Sequence, residues 1–104
     1  MEFTLATRAE ILHALGARLR GQRLAQNLTQ GELAGMAGLS VGAVRKLEAS
    51  GQCALGTLVR VAQALGVANE LQPLFELPRQ SIAQMEQAAA AQQRQRARRK
   101  EGRA

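Results

Sequence analysis

Residues 29–51 read TQGELAGMAGLSVGAVRKLEASG, and their punctuation defines two short helices. Thr29 with Glu32 three residues on is a capping box, in which each side chain accepts a hydrogen bond from an otherwise orphaned backbone amide. Leu33, Ala34 and Ala37 then share one helical face, and Gly38 stops the helix. Ser40 is a natural N-cap for a second helix running to about residue 49, with Val44 and Leu47 inward, and Gly51 ends it.

The same signals recur on both sides. Upstream, Thr7 and Glu10 form another capping box, and Ile11, Leu12, Leu15 and Leu19 follow at helical spacing. That helix is expected to reach about Gln26, with Leu24 and Leu28 closing its buried side. Gly16 and Gly21 lie inside it, each costing roughly 1 kcal/mol against Ala, so close packing is the expected reason for them. Downstream, residues 55–65 are apolar at Leu55, Leu58, Val61, Ala62 and Leu65, and Gly66 follows. A short fifth helix is expected over residues 68–75, packing Leu71, Leu74 and Phe75, with Pro78 preventing its continuation. Residues 2–5 are read as an extended piece able to pair as a strand across a dimer.

Composition supports an all-α fold. Ala and Leu supply 35 of the 104 residues, whereas Val, Ile and Thr together supply 11, so a sheet is disfavoured. The resulting expectation is a five-helix bundle with three parts: an N-terminal arm (1–6), a folded domain (7–77) and a basic Ala/Gln/Arg-rich tail (78–104). The tail opens with a capping box at Ser81 and Gln84, but beyond Ile82 and Met85 it has no sizeable apolar group. It can be helical by propensity without burying enough to hold itself down.

Charge is concentrated at that end. Residues 1–91 carry eight basic side chains against seven Glu, whereas residues 92–104 carry six basic side chains against Glu101 alone. Five of the six net positive charges therefore sit on the tail, which points to a polyanion as partner. That polyanion is either nucleic acid, whose backbone phosphates the Arg side chains would neutralise as an electrostatic accessory, or an acidic protein surface, and the plainer reading is a solvated end.

Most catalytic chemistry is excluded by what is missing. The chain has one His, one Cys and no Asp, so neither a nucleophile–His–Asp triad nor a Cys/His zinc site can be assembled, and neither metal nor cofactor is expected. An enzyme is not expected. His13 has no Cys, Asp or second His nearby and reads as a surface side chain. Cys53 cannot form a disulfide within the chain, which fits a reducing cytoplasm, and it would be redox-active only with a lowered pKa. No apolar run approaches the roughly 20 residues of a membrane span, and the first residues lack a signal-peptide pattern. RNA binding by base stacking is disfavoured, because Phe3 and Phe75 are the only aromatics.

The pair of helices around Gly38, Leu39 and Ser40 has the short Gly-containing connection of a DNA-binding helix-turn-helix. In that motif the second helix presents its N-terminal residues to base edges in the major groove. The first helix meets the phosphate backbone at its own N-terminus, where free amides and the helix dipole favour an anion.

The residues Leu15-Gly16-Ala17-Arg18-Leu19-Arg20, Arg23, Leu28-Thr29-Gln30, Glu32-Leu33-Ala34, Ala37-Gly38-Leu39-Ser40, Val44, Glu48, Gly51, Thr57-Leu58 and Ala64-Leu65-Gly66-Val67 resemble the Xre family. These are the bacterial and phage regulators of the Cro and phage-repressor type. The resemblance covers about residues 11–75 and implies a lambda-repressor-like bundle that binds a palindromic operator in double-stranded DNA as a homodimer, typically as a cytoplasmic repressor. It implies roles residue by residue. Gln30 matches a phosphate-contacting Gln beside Thr29, and Ser40, Val41, Gly42, Arg45 and Lys46 occupy the groove-facing part of the recognition helix. Arg45 is the candidate base reader, since a guanidinium can bond O6 and N7 of guanine together. Val41 and Gly42 stand where relatives often carry a polar pair, which weakens the expected hydrogen-bond code. Arg23 and Glu48 match a structural ion pair between the first and third helices that leaves Arg23 near a phosphate. Cys53-Ala54 replaces the common Pro-Ser, so the cap of the fourth helix is missing. The tail faintly resembles those of HipB-like antitoxins, which leaves an antitoxin holding a toxin protein as the alternative to a plain regulator.

Overall fold

The structure is a computed structural model and describes residues 2–78 and 82–101. Five α-helices form, and no strand occurs among the described residues: α1 (Arg8–Ala25), α2 (Gln30–Ala37), α3 (Val41–Ser50), α4 (Leu55–Ala64) and α5 (Ile82–Glu101). The chain divides into two units, Met1–Leu74 and Phe75–Ala104.

The starts and stops of the first unit follow from local chemistry. Both expected capping boxes form: Thr7 Oγ1 accepts from Glu10 N, Thr29 Oγ1 accepts from Glu32 N, and each Glu carboxylate accepts from its cap amide. Those bonds hold both carboxyls below the ordinary value. Ser40 Oγ accepts from Ala43 N at the start of α3. Gly38 ends α2 in the left-handed region at φ 68°, letting Leu39 N reach back to the Ala34 carbonyl. The N-cap of α4, Ala54, has the extended backbone of a cap and no side chain to make the bond.

The core is built by α2, α3 and α4. Leu33, Ala34, Val44, Leu47, Val61 and Leu65 are buried together, with Leu19, Leu28, Leu39, Ala64 and Val67 against them. Across α1 and α3 the backbones approach closely, and two glycines allow it. A Cβ on Gly16 would run into the Leu47 carbonyl, and one on Gly51 would run into Leu12. Gly51 also sits at φ 73°, so only glycine meets both demands. Gln26 adds a tie, its amide donating to the Leu65 carbonyl at 2.7 Å.

Several expectations are corrected. Gly21 has nothing within 4 Å of where a Cβ would stand, so packing does not explain it. Residues 68–75 do not form a helix; a 3₁₀ turn spans Ala68–Leu71 and further turns follow. Pro73 lies inside the expected helix and lacks the N–H needed to continue it. Leu74 is half-exposed and Phe75 is 97% exposed, at φ 61°, so neither packs as expected. Leu24 and Leu55 are likewise exposed, because periodicity marks an apolar face without showing that a partner covers it. Residues 2–5 form no strand: Phe3–Leu5 is a 3₁₀ turn, with the Phe3 ring 5.1 Å from the Arg18 guanidinium. In the second unit α5 is helical as its propensity suggested, with Ile82 and Met85 exposed. Ser81, the expected cap of that helix, lies outside the described residues.

The uncapped start of α4 makes a direct prediction. Ala54→Ser supplies the missing acceptor on a backbone already shaped for it, and should stabilise the protein by about 0.5–2 kcal/mol in urea melts. Gly51→Ala should lower the same midpoint sharply.

Candidate nucleic-acid interface

The α1–α3 contact carries one buried ion pair. Arg23 and Glu48 are each 6% exposed, and the guanidinium donates to both carboxylate oxygens, Nε to Oε2 at 2.7 Å and Nη2 to Oε1 at 2.8 Å. Arg23 Nη1 also donates to the Leu28 carbonyl at 2.7 Å, which ties the loop before α2 to the pair. Among the described residues no buried side-chain polar atom lacks a partner. Burial acts to raise the Glu48 pKa, but the hydrogen bonds from Arg23 and Gln30 and the charges of Arg23 and Arg20 outweigh it. The carboxyl therefore lies below its ordinary value.

Gln30, the first residue of α2, joins this network. Its amide donates to Glu48 Oε1 at 3.3 Å, so the side chain is anchored rather than loose on the surface. The second amide hydrogen and the carbonyl oxygen are left for a ligand. Thr29 and Ser40 both use their hydroxyl oxygens as caps, and both residues are exposed. A Cβ on Gly31 would stand about 4 Å from both Thr29 Oγ1 and Val41 Cγ2, so the N-termini of α2 and α3 adjoin. Val41, Gly42, Arg45 and Lys46 are exposed along α3, opposite buried Val44, Leu47 and Glu48. Arg60 of α4 donates to the Gly38 carbonyl at 3.4 Å, bracing the turn between the two helices.

The structure brings Arg45, Gln30 and Glu48 to one recess between α1 and α3, which His13, Arg20 and Gly21 also line. Ser40, Val41, Gly42 and Lys46 lie outside that recess, on the open face of α3. His13 and Arg20 were missed by sequence reasoning as site residues. Their signal is positional: they stand seven residues apart, on one face of α1. Cys53 is exposed, and the partial burial of its thiol pushes its pKa up, the opposite of a reactive cysteine.

Residues 19–68 match a helix-turn-helix family model. No curated protein matches the chain. The matched segment runs from the second half of α1 through α4 and contains the α2–turn–α3 unit. It is a helix-turn-helix domain, which supports a DNA-binding regulator.

Removing one partner of the ion pair leaves the other buried and uncompensated. Glu48→Gln should therefore cost about 3–5 kcal/mol of stability. The pH dependence has a definite sign. The Glu48 pKa is depressed by folding, so its contribution is complete above the ordinary carboxylate range and disappears as pH falls through the lowered value. Between pH of about 5 and 2, wild-type stability should fall more steeply than that of Glu48→Gln in denaturant titrations.

Proposed function

We propose that this chain is a homodimeric transcriptional repressor that binds a palindromic operator in double-stranded DNA. The observation that carries the reading is the pairing of α2 and α3 across left-handed Gly38, with Leu33, Ala34, Val44 and Leu47 inward and Arg45 and Lys46 outward. In that geometry α3 enters the major groove by its N-terminal residues while α2 meets the phosphate backbone at Thr29 and Gln30. Arg45 reads a base and Lys46 supports it, Val41 offers apolar contact to a thymine methyl, and Gly42 permits close approach. Ser40 and Thr29 serve mainly by fixing the two helix starts. Arg23 acts through Glu48, holding α3 on α1. Its place of action is the cytoplasm, where the operator lies.

A second reading, an antitoxin with the same DNA-binding domain, rests on Phe75 and Leu77, which are 97% and 78% exposed beside the basic tail and would suit a protein partner. Under that reading a toxin encoded next to this chain forms a stable complex with it; under the first, the adjacent gene product does not bind.

Two experiments test the main reading. Two recognition helices of a dimer must reach successive major grooves, so half-site centres should lie about 10 base pairs apart or a multiple of it, and inserting about five base pairs should abolish tight binding. Unchanged affinity after the insertion contradicts the dimer. On the best site selected from a random-sequence pool, Arg45→Ala should cost about 1–3 kcal/mol and flatten preference at one position. Gln30→Ala should instead weaken all sequences by a similar factor.

A further inference from the structure

A helix-turn-helix docks through phosphate contacts, yet the residues at the α2 N-terminus bring no free charge to one. Gln30 is neutral and anchored on Glu48, and the Arg23 guanidinium is spent on Glu48 and the Leu28 carbonyl. The charge must come from elsewhere, and the recess beside Gln30 has it. Arg20 and His13 stand on the α1 wall, both exposed, with Arg45 on the α3 wall. Arg20 is close enough to Glu48 for its charge to lower that carboxyl. Glu48, the one acidic group lining the recess among the described residues, already takes two hydrogen bonds from Arg23.

The recess is also kept open. Gly21 lies on the same wall as Arg20, in the interior of α1, where glycine weakens a helix. Gly16, five residues earlier, is explained by the Leu47 carbonyl against it, but nothing stands within 4 Å of a Cβ on Gly21. A residue that weakens its helix and relieves no contact among the described residues leaves space for something outside the fold.

We propose that the recess between α1 and α3 seats a phosphate of the DNA backbone, with Arg20 as its cation, His13 as a second polar group on the same wall and Gly21 as the clearance for the strand. The proposal rests on the DNA-binding reading and extends the interface from α2 and α3 onto α1. Arg20 supplies a fixed positive charge beside the α2 N-terminus, whose own amides and dipole favour the same anion. His13 extends the wall two helical turns away. Arg45 lines the same recess and is exposed, so the recess borders both the proposed backbone contact and the proposed base-reading side chain.

The test uses the full chain, a mixed-sequence duplex and the best selected site, titrated over a range of salt. Removing one phosphate-neutralising cation from the interface lowers the slope of log K against log salt by about 0.9. Arg20→Ala should reduce the slope by about that amount, weaken both duplexes by the same factor and leave base preference unchanged, and adding His13→Ala should weaken both duplexes further with no further change of slope. Arg20→Lys should restore most of the slope. Gly21→Gln, which suits a helix better than glycine, should raise the melting temperature while weakening both duplexes. An unchanged slope in Arg20→Ala, or wild-type affinity in Gly21→Gln, overturns the seat while leaving the DNA-binding reading intact. Failure of the wild-type chain to bind either duplex overturns both.

Discussion

The contact between the Arg23 guanidinium and the Glu48 carboxylate sets the position of everything that follows it. Two buried charges in this geometry add little net stability over an apolar pair of the same size, because desolvation offsets most of the attraction. What they add is direction. Each guanidinium nitrogen has one assigned acceptor, two on Glu48 and one on Leu28, so α3 cannot slide along α1 without leaving a buried charge unpaired. Gly16 and Gly51 allow this by letting the two helix backbones approach, and the Gln30 amide extends the network to the first residue of α2. The register of α2 against α3 is then fixed a second time by left-handed Gly38 and by Arg60 on its carbonyl. The exposed edge of α3 is thus a consequence of what its other edge must satisfy.

Much of this was legible because it is local chemistry. Thr29 with Glu32, Ser40, Gly38 and Gly51 mark helix ends within a few residues, and each end falls where its cap requires. Val44 and Leu47 were legible because a short helix with few apolar groups can bury only one face. Two of the misreadings depend on a neighbour that periodicity does not reveal. Leu24 and Leu55 stay exposed among the described residues although their spacing places them on apolar faces, and Gly21 looks like Gly16 in sequence although only Gly16 has a carbonyl against it. The short fifth helix failed for a reason the sequence did contain, since Pro73 interrupts the segment that was to form it. At the candidate site, the Arg23–Glu48 pair was readable through resemblance, but the Gln30–Glu48 bond spans 18 residues and emerges only when α2 and α3 are folded together.

The balance between affinity and specificity in the proposed interface follows from the same residues. With Val41 and Gly42 at the start of α3, few polar groups face the groove, so hydrogen-bonded base recognition falls mainly to Arg45 and Lys46. Backbone contacts carry the larger share of binding in such an arrangement, and with it a strong dependence on salt. In the proposed interface the strongly basic end of the chain would add to that share without adding sequence information.

The central claim is that DNA meets the face formed by the α2 N-terminus, the open side of α3 and the recess beside α1. A residue-resolved NMR titration of the full chain with a duplex tests it in one measurement. Backbone amide signals of residues 29–31 and 40–46, with the side-chain signals of Gln30, Arg20 and Arg45, should move together and saturate together. Shifts confined to α4 and the 3₁₀ turn at Ala68–Leu71, with those residues unmoved, would contradict it.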